Sequence, residues 1–114
     1  MARHHGRCHC GAIQFDVEVD LKETLSCNCS LCGKTGAIMV FVEADKLSKV
    51  VGIDRSTDYQ FAKKRIHHRF CPTCGVRPLA FGPGPGRAIV NVRCLDDVDV
   101  HALPAPRPYN GKAL

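Results

Sequence analysis

Three cysteine clusters limit what this chain can fold into more than any other feature. They are Cys8-His9-Cys10-Gly11, Cys27-Asn28-Cys29-Ser30-Leu31-Cys32-Gly33 and Cys71-Pro72-Thr73-Cys74-Gly75, with Cys94 standing alone. Eight cysteines among 114 residues need either disulfides or metal to account for them. No apolar h-region follows Met1, so no secretory signal is expected. A reducing compartment, the cytoplasm, is the expected location, and there metal binding outranks disulfides.

Zinc in structural sites takes four ligands in a tetrahedron, often all thiolate. A Cys-x-x-Cys pair followed by glycine suits a tight knuckle, because glycine tolerates the backbone angles a chain needs to curl round an ion. Cys71, Cys74 and Gly75 fit that pattern, and Cys8 with Cys10 forms a second candidate pair. The middle cluster supplies Cys27, Cys29 and Cys32 by itself. Seven clustered thiols divide naturally into four and three. The outer pairs close one site, and the middle cluster makes another that lacks a ligand.

The expected cofactor is therefore Zn²⁺, as two ions, one structural and one with an open position. Structural sites are closed, whereas catalytic ones keep room for water or substrate. Three thiolates leave the second ion with net negative charge, so it is a poor Lewis acid toward water and a better partner for a soft thiol held as thiolate. A cation nearby would offset the added charge, and Lys34, directly after the cluster, is the candidate. His67 and His68 are neighbours on an expected strand and so point to opposite faces. One of them could face the second metal as ligand, proton shuttle or orienter.

Three other arrangements use the same cysteines. They could pair as disulfides, hold a single zinc with spare thiols, or hold two closed zincs with Cys94 completing the second. If it completes no site, Cys94 is a small buried residue.

The rest of the chain reads as short strands between turns. Ile13, Phe15, Val17 and Val19 alternate with polar residues, the period of a half-buried strand. Residues 37–42 form a compact apolar run suited to a strand buried on both faces. Tyr59 and Phe61 alternate, residues 65–70 read as a strand entering the third cluster, and residues 88–92 as another. Residues 44–49 are the only expected helical piece, too short for more than a turn. Residues 82–86, Gly-Pro-Gly-Pro-Gly, must be a loop between adjacent strands. The proline-rich residues 104–108 are expected to be extended. One all-β domain over residues 1–114 follows.

The formal charge of +5 favours anionic partners, but the basic residues are scattered. The densest run, Lys63, Lys64 and Arg65 followed by His67, His68 and Arg69, reads as a solvated strand face ahead of a dedicated anion site. No stretch approaches the roughly 20 apolar residues that cross a bilayer, so no membrane partner is expected. A zinc module that binds nucleic acid or protein is the alternative to an enzyme. Single-strand binders carry stacking aromatics, and this chain has only two tyrosines, five phenylalanines and no tryptophan.

The order and spacing of these motifs resemble the glutathione-dependent formaldehyde-activating enzyme family, which includes centromere protein V. The resemblance lies in residues 6–12, in residues 27–32, and in residues 68–76, His-Arg-Phe-Cys-Pro-Thr-Cys-Gly-Val. It implies a β-tent fold of stacked antiparallel sheets. It implies a structural zinc on Cys8, Cys10, Cys71 and Cys74, and a catalytic zinc on Cys27, Cys29 and Cys32 where a glutathione sulfur binds. It also implies carbon–sulfur lyase activity on an adduct of glutathione, or a similar small-molecule thiol, with formaldehyde. His68 is the candidate for moving the proton.

Overall fold

The computed structural model describes residues 2–111. The alternation of Phe15, Val17 and Val19 becomes strand β2 (Gln14–Val19), with those side chains buried and Asp16 and Glu18 turned outward. Strand β1 (Ala2–Arg7) pairs antiparallel with one edge of β2, and β5 (Leu47–Val51) with the other. Gly6 lies opposite Phe15, and a Cβ on it would collide with the Phe15 ring, so the aromatic occupies the space a side chain would need.

A second sheet has seven strands. They are β3 (Leu25–Cys27), β4 (Ile38–Glu43), β6 (Thr57–Tyr59), β7 (His67–Phe70), β8 (Leu79–Phe81), β9 (Arg87–Asn91) and β10 (Arg107–Tyr109). Their order is β10-β3-β4-β9-β8-β7-β6, antiparallel apart from the parallel β10–β3 pair.

Strand β4 is buried on both faces, as its unbroken apolar run predicts. Ile38, Val40 and Val42 turn toward β2 and join Phe15, Val17, Leu79 and Val90 in the core between the sheets. Ala37, Met39 and Phe41 turn the other way and pack with Cys32, Ala80 and Ile89. Period-two geometry therefore sorts one strand into two clusters. The outcome is an all-β molecule, a β-tent of stacked antiparallel sheets. Among the described residues, no helix is long and apolar enough to cross a membrane.

Several local expectations are corrected. An α-helix, α1 (Ser30–Thr35), lies inside the middle cysteine cluster, where none was expected, so the helical turn foreseen at residues 44–49 is not the only one. There a 3-10 turn at Ala44–Lys46 leads straight into β5. Most of β5 is exposed, so it carries no apolar alternation to read. The proline-rich tail is extended, as expected, but it is also paired. Arg107 N–H donates to the Thr24 carbonyl (2.8 Å), and Asn28 N–H donates to the Tyr109 carbonyl (3.1 Å). Residues 82–86 link β8 and β9, which are adjacent as anticipated. Of the expected domain, residues 1 and 112–114 lie outside the described residues.

Candidate functional site

Two knuckles build the first thiol group. Gly11 N–H donates to the Cys8 carbonyl (3.2 Å), and Gly75 N–H donates to the Cys71 carbonyl (2.8 Å). Both glycines sit in the left-handed region, at φ 82 and 81, where a Cβ would be strained. Backbone N–H groups point at the sulfurs: Ile13 N–H at Cys8 Sγ (3.3 Å), and Thr73 N–H at Cys71 Sγ (3.4 Å). Such donors stabilise thiolate. Burial opposes ionisation of Cys74, yet the backbone N–H groups of Val76 and Cys10 outweigh it and bring its pKa down to about 6.

Cys10 Sγ stands 3.7 Å from Cys8 Sγ and 3.6 Å from Cys71 Sγ. Thiolates at ~2.3 Å from a tetrahedral zinc are about 3.8 Å apart, so the spacing fits that ion. It is also far beyond the ~2.05 Å of a disulfide. All eight cysteines are free, which sets aside the disulfide arrangement. Cys8, Cys10, Cys71 and Cys74 form one group able to hold a metal.

The second group is Cys27, Cys29 and Cys32, whose sulfurs lie within 4.8 Å of one another. Cys27 ends β3, Cys29 caps α1, and Cys32 lies in its first turn. The cap is a thiol: Cys32 N–H donates to Cys29 Sγ (3.3 Å) in the role that Ser or Asp usually fills. Burial raises the Cys29 pKa, but that N–H and the neighbouring thiols more than reverse it and leave it below the ordinary thiol value. Burial pushes Cys32 up to about 12, against the pull of Arg77. Three soft sulfur donors suit zinc. Among the described residues, no histidine, carboxylate or further cysteine joins this group. Cys94 is buried elsewhere, with Sγ directed at the Arg77 carbonyl (4.0 Å) and its pKa pushed up to about 11 by burial.

The three thiols open on a cavity of about 240 Å³. Sheet register builds its floor. Phe41 pairs with Ile89, Ile89 with Ala80, Ala80 with His68, and His68 with Tyr59, so one row of side chains crosses five strands on a single face. Tyr109 packs on Phe41 with ring centroids 5.4 Å apart, and Phe61 stacks on His68 at 5.3 Å. Gly111 closes the tail over the thiols, and a Cβ there would strike Cys27 Sγ.

His68 is only 6% exposed and lines this cavity, whereas His67 faces solvent beside Asp58, so the two do point to opposite faces. Burial, then the nearby Arg77 charge, lowers the His68 pKa to about 4. Arg77 Nη1 donates to His68 Nδ1, which leaves the ring proton on Nε2. Arg77 Nη2 reaches toward Cys32 Sγ (3.8 Å). Sequence reasoning missed Arg77. Its only signal is its place just past the Cys74-Gly75 knuckle, where the chain returns toward β8.

Lys34 sits exposed in the last turn of α1 and is not among the residues lining the cavity. The lining cations are Lys63, Lys64 and Arg65. They stand not on a strand face but on the loop between β6 and β7, exposed at the cavity mouth. Phe61, which alternates with Tyr59 in the sequence as strand residues do, also lies on this loop, and Tyr59 is 47% exposed.

The sequence matches the model of the family described as glutathione-dependent formaldehyde-activating enzyme over residues 3–110. The fold is similar to the crystal structure of a Rhodobacter sphaeroides protein, with a TM-score of 0.81 and 32% identity. That match covers 92% of this chain and 99% of the other. The paired knuckles, the three-thiol group and a match along nearly the whole chain agree, and the chain belongs to the glutathione-dependent formaldehyde-activating enzyme family.

Proposed function

We propose that this protein is a zinc-dependent carbon–sulfur lyase that joins and separates glutathione, or a similar thiol, and a small aldehyde. One observation carries the reading: Cys27, Cys29 and Cys32 converge with no fourth protein ligand among the described residues, and they face a cavity open to solvent at its mouth. Cys8, Cys10, Cys71 and Cys74 would hold a structural zinc that ties the chain's start to its later half. The zinc held by Cys27, Cys29 and Cys32 would supply a position that keeps an incoming thiol as its thiolate.

In the joining direction the thiolate sulfur attacks the aldehyde carbon. The carbon–sulfur bond forms, the carbonyl π pair moves to oxygen, and oxygen takes a proton from water, which is restored by the proton the thiol released on becoming thiolate. The reverse direction returns that proton and breaks the same bond. His68 is neutral at pH 7 and carries its proton on Nε2, so its role is to donate a hydrogen bond to the developing alkoxide. Arg77 fixes that tautomer.

The whole chain acts as one domain in a reducing compartment, the cytoplasm, because thiol ligands must stay reduced. The competing reading, a zinc module for nucleic acid, draws on the exposed ring of Tyr59, which stacks on Phe61 next to Lys63 and Lys64. The enzyme reading ranks first because Phe61 and the thiols line a concave cavity. Cobalt-substituted protein titrated with glutathione tests it. A changed visible spectrum together with accelerated exchange between ¹³C-formaldehyde and its glutathione adduct is expected, and an unchanged spectrum would overturn the reading.

A further inference from the structure

We infer that residues 60–66 form an anion-reading wall, and that the thiol this cavity accepts is compact and carries a carboxylate at the far end from its sulfur. The inference rests on the proposed thiol-binding role of Cys27, Cys29 and Cys32 and names the substrate class of that site.

The wall is a built structure. Lys64 N–H donates to the Phe61 carbonyl (2.9 Å), closing a tight turn, and Gln60 Nε2 donates to the Lys64 carbonyl (3.0 Å), clamping it from outside. Ala62 and Lys64 both take left-handed backbone angles, φ 55 and 54, without being glycine. Phe61, stacked on His68, anchors the turn to the cavity floor. The turn presents Lys63, Lys64 and Arg65 along one side of the mouth.

Among the described residues none of these three cations has an acidic partner, so their charge at the mouth is not neutralised by the protein. No aspartate or glutamate among the described residues lines the cavity. The arrangement is therefore polarised, with thiols at one end, an apolar floor of Phe41, Ile66 and Ile89, and unpaired cations at the rim. A ligand matched to it has a sulfur, a short body and an anionic end. The cavity, about 240 Å³, falls below the roughly 300–1,000 Å³ of sites that enclose drug-sized ligands. A compact thiol would fit within it whole, whereas a tripeptide would reach past its mouth.

The test compares 3-mercaptopropionate, 2-mercaptoethanol and cysteamine, which share a two-carbon stem and differ in end charge. Each is titrated by calorimetry into zinc-loaded protein and followed in the cobalt-substituted protein by its visible spectrum. Affinities are corrected for each thiol's own pKa. The carboxylate is expected to bind about tenfold tighter than the alcohol, and the ammonium more weakly than either. In a Lys63→Gln/Lys64→Gln/Arg65→Gln variant, all exposed positions, the ratio of carboxylate to alcohol should fall close to one, and high salt should narrow it in the parent protein. Equal binding of all the thiols by the parent, or a preference that survives in the variant, would overturn the anion wall while leaving the open thiol site intact. Failure of every thiol to bind would remove the open site and this inference with it.

Discussion

Arg77 Nη2 lies 3.8 Å from Cys32 Sγ, which sets a guanidinium against the three-thiol group. Burial raises the Cys32 pKa to about 12, and the guanidinium acts against that rise. Replacing Arg77 removes both this charge and the donor that sets the His68 tautomer. Arg77→Met should weaken metal binding at this group about 10- to 100-fold, the usual cost of losing a partner behind a ligand, and leave the other group unchanged. Arg77→Lys should recover part of the loss, since lysine keeps the charge without the fork that reaches two partners. Competition with a chromophoric chelator that resolves two binding steps would check both.

His68 should remain a neutral ring through most of the acid range. Its conjugate acid has a pKa of about 4 in the folded protein, below the ordinary histidine value of 6.5. The unfolded chain therefore binds the extra proton first. The stability contributed by burying the neutral ring is present above pH 6.5 and is lost as pH falls from there toward about 4. Ring ¹⁵N spectra at neutral pH should report a proton on Nε2, and a titration should place the midpoint well below the ordinary histidine value. A midpoint near 6.5, or a proton on Nδ1, would contradict the Arg77 contact.

The individual thiol clusters were legible because each is local in sequence, and the joining of the first and third across 61 residues followed only from counting ligands. Spacing of two or three residues forces sulfurs together whatever the surrounding fold. The strands with long alternation, β2 and β4, were legible for a related reason: burial leaves a period in Phe15, Val17 and Val19 and an unbroken run at residues 37–42. Strands of three residues, such as β3, β8 and β10, are too short to carry a period. Helix α1 was hidden because its cap is the Cys29 thiol and it contains Gly33, neither of which resembles an ordinary helix start. The basic run at residues 63–65 was visible, but its site was not, because Ala62 and Lys64 adopt backbone angles that their residue types do not advertise. Arg77 acts through partners 9 and 45 residues away in sequence, and no local pattern encodes that.

The two thiol groups should differ in what they hold together. Cys10 and Cys71 are 61 residues apart, so an ion at the first group closes a long loop. By analogy with a disulfide of that span, the cross-link is worth about 4 kcal/mol. Cys71→Ser should lower the midpoint of denaturant unfolding markedly. Cys29→Ser should leave the midpoint nearly unchanged while abolishing any response to added thiol. Equal destabilisation by the two would argue against the division of roles.

Gly111 offers a test of the tail as part of the site. A Cβ there would meet Cys27 Sγ and crowd Cys29, while Asn28 and Tyr109 hold the chain in place through the backbone. Gly111→Ala must therefore shift either the tail or the thiols. Since Tyr109 packs on Phe41, moving the tail also opens the cavity floor. The variant should keep the metal at Cys8, Cys10, Cys71 and Cys74 and lose affinity at Cys27, Cys29 and Cys32 by about tenfold, as for other residues that back a ligand. Metal analysis after graded chelation separates the groups by their order of release. A variant that releases both ions as the parent does would show that the tail merely passes by the thiols without supporting them.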